Sequence, residues 1–301
     1  MGSIAVLDTK WVGRSQATAS VLLESDGHLA LVDPGPASTL ETIRAELKTR
    51  GIELHDLNAL LLTHIHLDHA GASGTILRDN PELPVYVHQN GAPHLIDPSK
   101  LLASAGRLWG DDLPRLFGET LPVSKENLRI LSGGETLDLG GRKIEVAYTP
   151  GHASHHVSYF DAEEGIAFVG DTAGIRIENS PYIMPATPPP DIDLTLWDGS
   201  FSTILAQRPE KLFLTHYGFA ENPEAHIAIF RERLHAWAGM AGKIMQSATS
   251  DTEAVQEFMA VARADIAQNL PPDETEQYAF TAGLDLSFLG LARHLRKRAG
   301  A

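Results

Sequence analysis

Three histidines and an aspartate fall within six positions of the run Thr63-His64-Ile65-His66-Leu67-Asp68-His69, directly after Leu60-Leu61-Leu62. Imidazole and carboxylate are ligands for Zn²⁺, Fe or Mn²⁺, and clustered imidazoles add nothing to packing. A His-x-His spacing lets two rings converge on one ion from a single turn. Asp68 and His69 can then turn toward a second ion. Further candidates are His152 in "VAYTPGH", Asp171 in "IAFVGD" and His216 in "LFLTH". Each follows an apolar strand-like run, and strand-end loops are where an α/β scaffold presents chemistry. A carboxylate such as Asp171 can bridge two ions. Ions about 3.5–4 Å apart share a hydroxide and polarise a carbonyl or phosphoryl oxygen.

Composition narrows the setting. The chain has 301 residues, 43% of them hydrophobic, enough for one large domain or one domain plus an appendage. Cysteine is absent, so metal must be held by His, Asp or Glu. The net charge of −15 argues against a nucleic-acid partner. The basic run "RHLRKR", 293–298, reads as a solvated helix end. No apolar run approaches 18 residues and no signal peptide is evident, so neither membrane nor export is expected and a cytoplasmic location fits.

The elements that must position these residues alternate. "SVLLESDGHLALVDPG" reads as a hairpin turning at Asp26-Gly27. "STLETIRAELKTRG" reads as a helix opened by a Ser38–Glu41 capping box and closed by Gly51. "LNALLL" is a short strand that delivers the histidine cluster, and "LPVYVHQ" is another. Residues 91–127 read as a helical insertion, either a lid over the site or ordinary packing. Strands resume through "NLRILSGGETLDLGGRKIEVAYTPGH", "HHVSYFDAEEGIAFVGDTAG" and "PEKLFLTHYG", interrupted by the proline-rich loop "SPYIMPATPPPDIDL". From about 222 the pattern turns helical: 222–247 with Ile227, Phe230, Leu234 and Trp237 on one face, 250–269 behind a Ser250–Glu253 capping box, and 273–298. The expected organisation is a catalytic domain over 1–220 and a helical segment over 221–301.

At this point the sequence resembles a known family. "THIHLDHAG", "TPGHASHH", "FVGDT" and "LTHYG" are similar, in type and order, to the metal-binding motifs of the metallo-β-lactamase superfamily over roughly residues 4–220. The resemblance implies an α/β fold, a four-layer αβ/βα sandwich with a dinuclear site at one edge, here carrying a C-terminal helical extension. By that likeness His64, His66 and His152 hold the first metal. Asp68, His69 and His216 hold the second, and Asp171 bridges. Dedicated β-lactamases generally lack the bridging aspartate or use cysteine, flavodiiron proteins place Glu where His66 stands, and nuclease branches want a basic surface. That leaves the branch similar to glyoxalase II, a thioester hydrolase, and to the quorum-quenching lactonases.

In "TPGHASHH", His155 stands where the glyoxalase II-like pattern has Gly, and His156 matches its second His and reads as orienting a ligand. His155 either faces the site or caps a turn. A basic cluster for glutathione carboxylates is not evident. Lactonases carry a tyrosine after the bridging Asp; Tyr182 and Tyr217 are candidates to donate to a substrate oxygen, or are packed aromatics. Asp33 in "LVDPG" either lies under the site or serves its turn. The remaining histidines, His94 among them, read as structural.

The expected function is hydrolysis of an ester-like bond in a lactone, thioester or ester by a hydroxide shared between two divalent ions, zinc foremost, with iron or manganese also accommodated. Asp68 would hold the second metal and accept a hydrogen bond from the nucleophile. Weak β-lactamase or phosphoesterase side activity, a mononuclear-iron persulfide dioxygenase, and a metal-binding module without turnover are the alternatives. The partner is a small molecule, with no organic cofactor site singled out. Substrate choice would come from segments 91–127 and 180–190 and from the helical tail, and Trp109 and Phe117 suggest a partly apolar pocket. The helical segments either join two copies in a homodimer or pack within the chain.

Overall fold

In the computed structural model, which describes residues 2–177 and 180–300, alternation along the strands decides the architecture. On β2 (Ala19–Ser25), Val21 and Leu23 point into one buried cluster and Leu22 into another. On β4 (Ala59–Leu61), Leu61 and Leu60 divide the same way. A strand that buries both faces must lie inside a stack of layers.

The first sheet runs β1 (Ser3–Asp8), β2, β3 (His28–Val32), β4, β5 (Val85–His88), β6 (Leu128–Leu131). Its first three strands pair antiparallel and the rest pair parallel. The Asp26-Gly27 turn has φ of 46° and 78°, the left-handed pair that a two-residue hairpin loop requires. The second sheet runs in the order β12 (Gly218–Glu221), β11 (Lys211–Leu214), β10 (Ile166–Phe168), β9 (Val157–Asp161), β8 (Arg142–Tyr148), β7 (Thr136–Leu139). Val21, Val32, Leu61, Ile144, Tyr159, Phe168 and Phe213 fill the space between the sheets.

Helix α1 (Leu40–Lys48) covers the outer face of the first sheet with Leu40, Ile43 and Leu47. The Ser38–Glu41 capping box does not form. Thr39 takes the N-cap position with no side-chain cap, and the Ser38 hydroxyl instead donates to Leu116 O at 2.6 Å. A 3₁₀ turn over Ala37–Thr39 runs straight into α1, so the helix start is not the free end that a capping box serves. Two one-turn helices follow the histidine strand, α2 (Leu67–Ala70) and α3 (Ser73–Ile76). Within 91–127 lie α4 (Ala92–Ile96), α5 (Ser99–Trp109) and α6 (Leu113–Phe117), tied to the body where Trp11 Nε1 donates to Leu116 O.

Helix α7 (Leu194–Ala206) and four C-terminal helices cover the other sheet. These are α8 (Pro223–Ser247), α9 (Asp251–Asn269), α10 (Pro272–Ala282) and α11 (Leu284–Ala299). Ile227, Phe230, Leu234 and Trp237 are all buried, and Ser250 caps α9 through Glu253 N. The stretch expected to be helical over 273–298 forms two helices divided at Gly283, whose φ of 57° suits glycine. Phe288 and Leu291 of α11 share one core with Leu212 and Leu214 of the sheet. The four-layer αβ/βα sandwich with a helical extension is therefore the fold.

β3 and β4 are parallel, β10 and β11 are parallel, and β8 and β10 both pair antiparallel to β9. The ends of β3, β4, β8, β10 and β11 thus supply the loops that carry Asp33, His64, His152, Asp171 and His216.

Candidate metal centre

Each cluster residue is aimed by a short backbone device. Asp33 ends β3 at φ 47°, a left-handed bend that Asp tolerates. Its buried carboxylate accepts from Thr63 N, Thr63 Oγ1, Thr215 Oγ1 and His69 Nδ1, at 2.7–2.9 Å. The alternative that Asp33 merely serves the turn is set aside by those partners. Asp68 and His69 sit on α2, whose N-cap is His66. Gly151, before His152, has φ 138°, and a Cβ there would lie 2.4 Å from Trp197. Gly170, before Asp171, has φ 49°, and its Cβ would meet His156 Nε2 and Thr63 Oγ1 at 2.6 Å. Both positions combine a positive φ with a neighbour, Trp197 at one and the His156 and Thr63 side chains at the other, too close for a Cβ, so glycine suits both.

The hydrogen bonds on the far side of each ring determine what faces inward. His152 Nδ1 lies 2.9 Å from Ala186 O, and His216 Nδ1 lies 2.7 Å from Ala17 O. A carbonyl only accepts, so each Nδ1 carries the proton and each Nε2 presents a lone pair. His69 Nδ1 donates to Asp33 at 2.9 Å. Thr63 Oγ1 gives its proton to Asp33 and so receives from His64 Nδ1 at 3.1 Å. Four Nε2 lone pairs therefore point into the site. His66 turns the other nitrogen: its Nδ1 is 3.0 Å from both His64 Nε2 and His152 Nε2.

His66 Nδ1 can donate to the lone pairs of His64 and His152 when it carries the ring proton, and with the proton on its other nitrogen the three lone pairs converge as metal ligands do. His64, His66 and His152 form one group able to hold an ion, and Asp68, His69 and His216 form another. Asp171 stands between the groups. Its Oδ2 is 3.4 Å from His152 Nε2, and its Oδ1 is 3.1 Å from His69 Nε2 and 3.6 Å from His216 Nε2. Asp68 Oδ2 is 3.2 Å from His216 Nε2. The buried His69 Nε2 and Asp171 Oδ1 have no hydrogen-bond partner. They face each other 3.1 Å apart, and a positive charge there, as a proton on Nε2 or a cation, satisfies both. The donor set therefore fits a pair of divalent cations held by nitrogen and oxygen.

Electrostatics point the same way. Burial, then His152, pulls His66 down to about 4, and burial lowers His64 and His152 too, so these imidazoles stay neutral, the metal-binding form. Burial alone would lower His69 and His216. Asp171 and Asp68 instead raise both, which marks that half of the site as one that favours positive charge. Burial alone would raise the Asp68 carboxyl, but His69 and His216 hold it at about 2.

His156 is buried and does not face the cluster's centre. Its Nδ1 is 3.0 Å from Thr149 Oγ1, and its Nε2 accepts from Asp171 N at 3.4 Å, so it steadies the Asp171 turn. His155 faces the site: it stacks on His64 at 6.1 Å and lines the adjoining cavity. That cavity, about 530 Å³, is bounded by His66, Asp68, Asp171 and His216 at its base. Its walls come from α5, from residues 186–191, and from α10 and α11. Segment 91–127 therefore does border the site, with Trp109 and Phe117 in the wall.

Both tyrosines are corrections. Tyr182 is buried behind the site; its hydroxyl donates to Asp265 on α9 at 2.5 Å, and Arg233 packs over its ring at 3.9 Å. Tyr217 is half-buried against the core between the sheets and is not among the cavity-lining residues. Neither ring lines the cavity. His94, which sits in no ligand spacing, nonetheless lines the cavity from α4. The acceptors Ala17 O and Ala186 O leave no trace in residue type, since they are backbone carbonyls.

The metallo-beta-lactamase superfamily model matches residues 14–216. "Probable metallo-hydrolase YqgX" of Bacillus subtilis is 32% identical over 166 residues, covering 54% of this chain and 70% of that protein. A hydroxyacylglutathione hydrolase of Yersinia enterocolitica is 30% identical over 172 residues, covering 56% of this chain and 53% of that protein. The match thus spans about half of that relative. The crystal structure of the metallo-beta-lactamase family protein TTHA1429 from Thermus thermophilus superposes with a TM-score of 0.74 at 18% identity, over 98% of this chain and 94% of that one. At that identity the likeness speaks for the fold alone.

Proposed function

Because the chain belongs to the metallo-β-lactamase superfamily, we propose that it is a metal-dependent hydrolase of an ester-like bond, in a lactone, thioester or ester. The carrying observation is Asp171, whose two oxygens each face a different histidine group. His64, His66 and His152 would hold one ion, Asp68, His69 and His216 the other, and Asp171 both. When bound, the ions would supply Lewis-acid polarisation of the carbonyl and a water of lowered pKa.

The chain's own residues supply the rest. Asp68 is the one carboxylate of the set with appreciable exposure, 21% at its side chain, and it faces the cavity. Held ionised, it accepts a hydrogen bond from the attacking water and orients it. Water oxygen bonds to the carbonyl carbon, the carbon–oxygen or carbon–sulfur bond breaks, and the water's proton ends on the leaving group. The cavity walls align the substrate and exclude bulk water.

The test is acid release in a pH-stat by metal-loaded protein, against a thioester, an acyl-homoserine lactone, an aryl ester, a phosphodiester and a β-lactam, with a chelated control. Chelator-sensitive turnover of a carbonyl ester class is expected. Turnover confined to the phosphodiester, or none with both metals bound, would refute the reading.

A further inference from the structure

His155 stands where the glyoxalase II-like pattern places glycine, and the chain is built around its ring. The residue is 8% exposed and lines the cavity. Its ring stacks on His64 and meets His66 edge-on, 5.6 Å between centroids. Ser154 before it is pinned three times: its carbonyl accepts from Asn90 Nδ2 at 2.8 Å and from the Tyr148 hydroxyl at 2.9 Å, and its Oγ donates to Asp191 at 2.5 Å. Gly91 leaves room for the side chain, since a Cβ there would lie 3.3 Å from His155 Cβ and 2.7 Å from Ile65 Cγ2. The tautomer follows from the neighbour of Nδ1, which faces Ile65 N at 3.4 Å. A backbone N–H only donates, so Nδ1 keeps its lone pair and the proton sits on Nε2. Nε2 has no hydrogen-bond partner among the described residues. A mostly buried donor without a partner, on a braced ring open to the cavity, is a group held for a ligand.

We propose that His155 is a catalytic residue whose Nε2–H donates a hydrogen bond to the substrate's carbonyl oxygen and stabilises the negative charge that develops there. This rests on the hydrolase reading for the bond cleaved. With Tyr182 and Tyr217 away from the cavity, the role of a neutral donor to the substrate is open, and His155 fits it. Its place argues for the carbonyl oxygen. His155 touches His64 and His66 of one ion-holding group, whereas Asp68, which orients the attacking water, belongs with His69 and His216 in the other. The two residues stand beside different halves of the centre, so each serves a different oxygen on the carbon under attack. As the water oxygen bonds to that carbon, the carbonyl electron pair moves onto its oxygen, which accepts from Nε2–H. The pair returns as the carbon–oxygen or carbon–sulfur bond breaks, and His155 neither gains nor loses a proton.

Metal-loaded full-length protein is given S-hexanoyl-N-acetylcysteamine, phenyl hexanoate and N-hexanoyl-homoserine lactone. Calorimetry with trifluoromethyl hexyl ketone, which takes up water to a tetrahedral hydrate, and with methyl hexyl ketone, which does not, reads binding without turnover. His155→Phe keeps a ring and removes the donor. Its kcat should fall about 100-fold with KM changed by less than about threefold, because the bond strengthens in the transition state. His155→Gln keeps an N–H and should stay within about tenfold of the parent. A residue that only packs on His64 would give the reverse order, Phe active and Gln impaired, and that result overturns the proposal. The parent should prefer the trifluoromethyl ketone, and His155→Phe should lose about tenfold of that preference. Metal content and melting are read for each variant. If His155→Phe does not fold or load, His155→Gly takes its place, and if neither holds metal, His155 is structural and the proposal falls. If no substrate is cleaved but the ketone preference is present and lost with the donor, the hydrolase reading falls and the donor stands. An unchanged kcat in His155→Phe, or a ketone preference that is absent or survives in it, overturns the proposal.

Discussion

Asp33 shows what a residue beneath a metal site does. It lies in neither ion-holding group, yet it accepts four hydrogen bonds that fix Thr63, Thr215 and the tautomer of His69. In Asp33→Asn one carboxylate oxygen becomes a donor facing other donors. The metal held by His69 should bind about 10–100-fold more weakly, measured by chelator competition. Unchanged affinity would show that the ring is oriented by packing alone. Tyr182 is the reverse case, a polar residue whose hydroxyl belongs to the core. Tyr182→Phe should cost about 1 kcal/mol through the lost bond to Asp265 and leave turnover intact, read by melting beside kcat/KM. A large loss of turnover with unchanged melting would restore a role at the substrate. The ligands were legible in the sequence because three imidazoles and a carboxylate in six positions have no packing purpose. Tyr182 was misread because a hydroxyl near a motif looks the same whether it meets a substrate or an aspartate on a distant helix.

At the scale of elements, strands and turns followed from alternation and from pairs such as Asp26-Gly27, since those signals are local. The Ser38 cap was not legible, because its hydroxyl is taken by Leu116 O, 78 residues away. The C-terminal helices were expected beside the site, but which of their residues reach the wall depends on how α10 and α11 return across the chain. Their hold on the site loops is specific. Tyr278 of α10 accepts from Ile177 N and donates to Tyr182 O, and His226 of α8 donates from Nε2 to Ala173 O at 2.9 Å, two residues past Asp171. Burial lowers His226 to about 4. Between that value and the ordinary 6.5 the unfolded chain binds a proton that the folded chain refuses. Stability therefore falls as pH drops through that window, by about 3 kcal/mol in all, and is unaffected above it. Unfolding by denaturant at pH 7 and pH 4.5 checks this: His226→Gln should flatten the decline, and an unaltered decline would assign it elsewhere.

At the scale of the whole molecule, the centre joins two sheets. His64, His66, Asp68 and His69 follow β4 of the first sheet, while His152, Asp171 and His216 follow β8, β10 and β11 of the second. Each ion-holding group draws on both sides: His152 completes the first and His216 the second. A bound cation thus cross-links the layers at one edge, where the chain otherwise stacks neutral imidazoles against each other and carboxylates against one another. Folding must bring those groups together, and ions that bind only the folded form offset that cost by mass action. At free metal about 100-fold above its dissociation constant the gain is about 2.7 kcal/mol per ion, or about 5 °C in melting temperature for a chain of this size. Chelation should lower the melting temperature by at least that amount, with re-addition of zinc restoring it. Because Asp171 and His69 are shared or adjacent between the groups, the second equivalent should add less than an independent site would. Two ions that stabilise additively in a titration of melting temperature against metal would mean that the halves of the centre are uncoupled, and that Asp171 serves one ion alone.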